Sequence, residues 1–135
     1  MTSSRHVIVV HHAPLIVEAL DMALSLKGYA VHPAATFRDA RALLSALGDG
    51  LVAVIAHADM PNQPQAGSLL RLVRKSHPSA ALVVLSARGK SELGRLPGKS
   101  VLLREPFDRA ELLGAIMTAS SLIETTHATD GAAMR

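Results

Sequence analysis

The sequence contains no cysteine and no tryptophan, and only one tyrosine and two phenylalanines among 135 residues. Without a thiol, disulfide scaffolds, thiolate zinc sites and cysteine nucleophiles are excluded. So few aromatics argue against nucleic-acid folds that stack bases on exposed rings. Apolar runs are also short: the first covers residues 7–10, and charged or turn residues interrupt every later one. None approaches the ~20 residues that a membrane-spanning helix needs, and no targeting signal is evident. A cytoplasmic protein of bacterial type with no membrane partner is expected.

What is present is aliphatic. Hydrophobic residues make up 49% of the chain and mean hydropathy is +0.28, which excludes a disordered polypeptide and calls for a core of Ala, Val, Leu and Ile. At 14.2 kDa one domain is expected, over residues 1–123, with 124–135 as a small, polar, flexible C-terminal tail. The formal net charge of +3 is unevenly spread. Residues 1–70 hold four Lys/Arg against five acids, whereas residues 71–109 hold nine against three. Such a block reads either as a solvated surface or as a face for an acidic partner.

Short apolar runs alternate with helical patterns. Residues 6–10 (HVIVV) form a continuous β-branched run, as in a strand buried on both faces. Pro14 opens a helix at a position where its missing N–H costs nothing, and Gly28 fits the stop. Residues 29–33 read as a second strand. Thr36 with Asp39 resembles an N-cap with an acidic capping box, opening a helix that runs to Leu47. Residues 51–56 (LVAVIA) read as a central strand, 67–76 as a helix, 80–85 as the fourth strand and 101–103 as the fifth. Between the last two strands, Gly89, Gly94, Pro97 and Gly98 leave room only for a short helix around 91–96. An amphipathic final helix is expected over 107–123, capped by Asp108.

Five strands alternating with helices predict an α/β, flavodoxin-like three-layer fold: a five-stranded parallel sheet in order 2-1-3-4-5 with helices on both faces. The ligand crevice of such a sheet lies outside the carboxyl ends of strands one and three. Here those ends carry His11–His12 and His57.

In this order and spacing, the segments VIVVHHAPLIVEAL, GYAVHPAATFRDARALL, LVAVIAHADMP, ALVVLSA and VLLREPFDRAELL resemble a bacterial two-component receiver domain over nearly all of residues 5–123. The resemblance implies phosphoryl transfer to an aspartate ending the third strand. It also implies an acidic pair that helps hold Mg²⁺, a Ser/Thr after strand four and a Lys before a proline after strand five. This chain departs from that pattern almost throughout. The acidic pair falls on His11 and His12, the phospho-acceptor on His57, the lysine on Glu105 ahead of Pro106–Phe107, and the switch aromatic on Leu102. Ser86 alone matches. The resemblance is therefore to a degenerate, pseudo-receiver member. Imidazole is a poor ligand for hard Mg²⁺, so neither that ion nor phosphorylation by the family's route is expected. Pro106 is expected to shape the turn after strand five, a cis bond being one way to do so.

The residues at the crevice admit three readings. His12, His57, Glu105 and His11 form a ligand set suited to Zn²⁺, Ni²⁺, Cu²⁺ or Fe²⁺, which defines a transition-metal or small-ligand sensor. Clustered imidazoles also suit a pH sensor. The plainest reading is a decayed pocket: neutral imidazoles bonded to loops, Glu105 paired with Arg104 or a protonated histidine, and Ser86 bonded to backbone. No nucleophile–base–orienter set is present, so no enzyme is expected, and neither catalytic residue nor resident cofactor. No recognition helix, coiled coil or glycine-rich phosphate loop is present, so nucleic acid is not an expected partner. The leading expectation is a stand-alone, phosphorylation-independent module that contacts another signalling protein: a histidine kinase, a response regulator or an output protein. The resemblance implies a dimer or partner face formed by the fourth helix, fifth strand and fifth helix; the interrupted 91–96 region breaks that face here, so an altered partner surface is expected, with a homodimer as a further reading.

Overall fold

A computed structural model describes residues 5–89 and 96–133. In it five parallel strands form one sheet in the order β2-β1-β3-β4-β5: β1 (Arg5–Val10), β2 (Tyr29–Ala34), β3 (Leu51–His57), β4 (Ala81–Ser86) and β5 (Ser100–Arg104). Helices α1 (Pro14–Ser25), α2 (Phe37–Leu47), α3 (Ser68–Ser76) and α4 (Arg109–Ala133) cover its faces, and a 3₁₀ turn at Gly48–Gly50 leads into β3. The expected short helix at 91–96 lies outside the described residues, except for Leu96.

The β-branched runs form the sheet because both of their faces are buried. Side chains alternate across the pleat. Ile8, Val10, Val54 and Val84 therefore pack under α2 and α3 with Leu44, Leu70 and Val73. Val7, Val9, Ile55 and Val83 pack under α1 and α4 with Leu20, Leu24, Leu112 and Ile116. Aliphatic side chains fill both layers, as the shortage of aromatics requires. No helix among the described residues is long and apolar enough to cross a membrane.

Local signals set the helix starts. Pro14 occupies the first turn of α1. Thr36 Oγ1 accepts the Asp39 N–H at 3.0 Å and caps α2. Thr36→Ala is expected to cost about 1 kcal/mol, read as a lower urea midpoint with an unchanged m-value. At α4, Asp108 Oδ1 accepts the Glu111 N–H at 2.7 Å while Glu111 Oε1 accepts the Asp108 N–H at 3.0 Å, a reciprocal capping box. The end of this helix differs from the sequence expectation. It continues past Ile123 to Ala133, so most of the segment assigned to the tail is helical. No proline interrupts the hydrogen-bond ladder there, and the amphipathic pattern that defined the expected end reports packing on the sheet rather than backbone conformation.

Register brings the strand ends together. Val10 pairs with Ala56, so His11 and His57 leave the sheet side by side. His57 pairs with Leu85 and Ser86 pairs with Arg104, which places Glu105 one residue beyond the end of β5. The Glu105–Pro106 peptide bond is cis.

Candidate functional site

Three of the strands carry the same local device at their carboxyl ends. His11 Nδ1 accepts the N–H of Ala13 at 3.0 Å, His57 Nδ1 accepts that of Asp59 at 3.1 Å, and Ser86 Oγ accepts that of Arg88 at 2.9 Å. Each is a side-chain acceptor that bonds the backbone two residues on, as Asp, Asn and Ser do in Asx and ST turns. The first ring nitrogen of histidine lies about where an aspartate oxygen would. These histidines thus keep a turn-forming role open to carboxylates and carry no negative charge.

The three rings pack against one another. His11 stacks on His12 with ring centroids 5.0 Å apart, and His57 meets both edge-on at 4.6 and 5.2 Å. Glu105 reaches in from beyond β5. Its Oε1 lies 3.4 Å from His57 Nε2 and its Oε2 lies 3.6 Å from His11 Nε2. At 3.6 Å the second contact is not a hydrogen bond, and His11 Nε2 is left buried with no hydrogen-bond partner among the described residues. His11 is only 4% exposed, and His57 and Glu105 are 13% and 19% exposed.

The hydrogen bonds also determine the tautomers. An Nδ1 that accepts an N–H holds a lone pair, so the neutral ring carries its proton on Nε2, the nitrogen that faces Glu105. Taking up a second proton would put an N–H on Nδ1 against a backbone N–H. The electrostatics agree. His11 is held below its usual pKa of 6.5, first by burial and then by the charges of His57 and His12, with Glu105 opposing. His57 is lowered chiefly by burial, again against the pull of Glu105.

This arrangement bears directly on the metal reading. One ligand atom each from His11, His57 and Glu105 lie within 4.8 Å of one another. His12, expected as a ligand, does not belong to that trio; it is exposed, and its ring lies over His11 on the outer side. Ligand histidines normally donate their second N–H to a carbonyl or carboxylate, which frees the other nitrogen for the metal. Here both Nδ1 atoms receive donors instead. Binding a metal at the Nε2 atoms would require both tautomers to change and both loop hydrogen bonds to break.

Ser86 is fully buried beside the crevice, and its carbonyl accepts the Glu105 N–H at 2.8 Å. Leu102 lies away from the crevice, half-buried on β5 against the α2–α3 layer. Arg104 is exposed and has no part in holding Glu105, which is partnered by the histidines. Two pairings are not visible in the sequence. Arg88 forms an ion pair with Asp59, linking the loops after β3 and β4. His6 Nδ1 lies 2.9 Å from His32 Nε2 across β1 and β2. Residues 6 and 32 are brought together by strand register, which no local motif encodes.

No protein-family model matches the chain, and no curated protein matches it. Solved structures do. The chain is similar to the signal receiver domain of an HD domain-containing protein from Pseudomonas fluorescens Pf-5, at 24% identity over 94% of each chain and a TM-score of 0.78. It is similar to a response regulator receiver protein from Sinorhizobium medicae WSM419, at 19% identity over 90% of this chain and 95% of the other, with a TM-score of 0.76. A third neighbour is a chain of the CheX–CheY–BeF₃–Mg²⁺ complex from Borrelia burgdorferi. It is 20% identical over 84% of this chain and 87% of its own, with a TM-score of 0.71. These likenesses define the class of fold: the chain has the receiver fold, with its five parallel strands in the order 2-1-3-4-5.

Proposed function

We propose that this chain is a pseudo-receiver: a receiver-fold module that signals through contact with another protein and is not phosphorylated at its crevice. The observation that carries the reading is Glu105 Oε1, 3.4 Å from the ring of His57. The receiver resemblance places the phospho-acceptor at residue 57 and a charge-pairing lysine at residue 105. In this chain the acceptor position has no carboxylate, and the position that should attract a phosphoryl group presents a negative charge. With His11 and His12 at the acidic-pair positions, no hard oxygen ligands remain there for Mg²⁺. The crevice supports neither phosphoryl transfer nor its metal, and the reading is of a binding module rather than an enzyme.

The surface supports a contact role. Leu15 and Met22 on α1 and Leu26 at its C-cap are 79%, 62% and 68% exposed, and their spacing places them along one stripe of the helix. Beside them an apolar groove of about 440 Å³ runs between α1 and the start of α4, lined by Ile16, Ala19, Ala23, Phe107 and Leu112. A partner helix from a signalling protein fits such a groove. One structural neighbour belongs to a complex of two proteins, CheX and CheY.

The test uses ¹⁵N-labelled protein with Mg²⁺ and beryllofluoride, and intact mass after incubation with acetyl phosphate. The expected result is no amide shift around His11, His57 and Glu105 and no added phosphoryl mass. Saturable shifts there, or a phosphoryl adduct on any crevice residue, would overturn the reading. The metal-sensor alternative rests on the His11–His57–Glu105 trio and is weakened by the two backbone donors. Stoichiometric zinc or nickel retained by untagged protein, and lost in His57→Asn, would restore it.

A further inference from the structure

Four cations of the basic block line a cavity that adjoins the histidine crevice at Asp59 and Arg88. The cavity, of about 630 Å³, opens between α3, the loops after β3 and β4 and the approach to β5. That volume lies within the range of small-molecule sites. Its wall carries Arg71, Arg74, Lys75 and Arg88, while Leu96 and Pro97 supply apolar surface over the buried Leu70. Asp59, the carboxylate on the wall, is engaged by Arg88.

The cations are placed by the fold. Residues 71, 74 and 75 share one face of α3, at spacings of three and four. Arg74 is anchored by backbone: its Nη1 donates to the carbonyls of Pro78 and Ala80 at 3.2 and 2.9 Å, and its Nε donates to that of Gly98 at 3.2 Å. Its Nη2 is left buried and without a hydrogen-bond partner among the described residues. A buried guanidinium N–H lacking an acceptor is costly; the atom is closed to solvent, so an anion in the cavity reaches it only when the Arg74 side chain shifts. Arg71 folds back over the left-handed Gly67, where a Cβ would lie 2.8 Å from its Nη1, and donates to the Ala66 carbonyl at 3.2 Å. Its guanidinium is therefore held at the rim of the cavity while remaining exposed to solvent.

We propose that this cavity binds a small organic phosphate of nucleotide size, with Arg71, Arg74 and Lys75 holding the phosphoryl oxygens and Leu96 and Pro97 packing on the organic part. Arg74 offers only Nη2, its other donors being held by carbonyls, while the second N–H groups of Arg71, whose Nη atoms also reach Ala66 and Ser68, and the Lys75 ammonium supply charge-assisted donors to phosphoryl oxygens. The apolar wall distinguishes such a ligand from a bare inorganic anion. The proposal is independent of the pseudo-receiver reading, since none of these contacts involves His11, His57 or Glu105.

The test titrates the ¹⁵N-labelled full chain with GTP, pyrophosphate and a hexaglutamate peptide, without Mg²⁺, at about 150 mM salt, where exposed charges are screened. GTP is expected to give saturable shifts at Leu70, Arg71, Arg74, Lys75 and Gly98, and to bind about tenfold more tightly than pyrophosphate. Arg71→Gln and Lys75→Gln, both at exposed side chains, should each weaken GTP about tenfold with unchanged thermal midpoints. Arg74→Gln serves only as a supporting variant, because it also removes backbone anchors. Absence of saturation, equal affinity for pyrophosphate, tighter binding of hexaglutamate, or unchanged affinity in both exposed variants would each overturn the proposal.

Discussion

The variant His11→Asp/His12→Asp/His57→Asp/Glu105→Lys is expected to accept a phosphoryl group from acetyl phosphate in the presence of Mg²⁺, and the natural protein is expected to accept none. The fold already holds these four positions close together. The residue-105 side chain reaches within 3.4 Å of residue 57 and 3.6 Å of residue 11, so a lysine there can approach a carboxylate at residue 57. An aspartate at 11 or 57 can retain the bond to the N–H two residues on, because that bond is an Asx-turn contact now made by a ring nitrogen. Carboxylates at 11, 12 and 57 supply the hard oxygen ligands that Mg²⁺ requires, and Ser86 is already in place.

The four changes must be made together. They touch one another, and contacting sites do not act additively. Glu105→Lys alone would set an ammonium against imidazoles whose protonated forms are already disfavoured. The readout is intact mass with and without Mg²⁺. The control carries His57→Ala in place of His57→Asp, with the other three changes kept. A folded four-site variant that stays unmodified would show that side-chain identity alone is not sufficient, and that these strand ends do not hold the geometry for phosphoryl transfer.

Much of the crevice is legible in the sequence because the informative residues sit at strand ends. Runs such as HVIVV and LVAVIA identify buried parallel strands by composition alone. Once the order 2-1-3-4-5 follows, the residue after each run is assigned to the crevice. His11, His57 and Glu105 are gathered in this way. Their orientation is not. Which ring nitrogen faces the loop and which faces Glu105 depends on a turn whose acceptor role histidine rarely announces, so the metal reading is stronger in sequence than the hydrogen bonds allow. His12 carries too much weight in that reading for a related reason: adjacency in sequence does not say that one ring turns inward while its neighbour stays exposed. The contact between His6 and His32, and the pairing of Asp59 with Arg88, arise from register and loop approach over long separations.

Acidification is the second large effect expected, and its sign follows from the same contacts. In the unfolded chain His11 and His57 titrate near 6.5, and in the folded protein both lie lower, chiefly because of burial. Well above 6.5 both rings are neutral in either state and contribute no pH dependence. As pH falls below 6.5 the unfolded chain takes up protons first, so stability is lost until the folded-state pKa values are passed. Urea midpoints followed from about pH 8 to about pH 5 should therefore fall on the acid side of this range. His11→Asn/His57→Asn should fall less steeply, since an amide oxygen can replace Nδ1 as acceptor for the Ala13 and Asp59 N–H groups without titrating. Glu105→Gln should be more acid-sensitive than the natural protein. It removes the carboxylate that raises both imidazoles, so their folded-state values drop further and the destabilising window widens toward low pH. Equal slopes in the natural protein and the double asparagine variant would mean that acid sensitivity arises elsewhere in the fold. A Glu105→Gln protein that resists acid better would mean that the carboxylate, rather than the buried rings, controls the crevice.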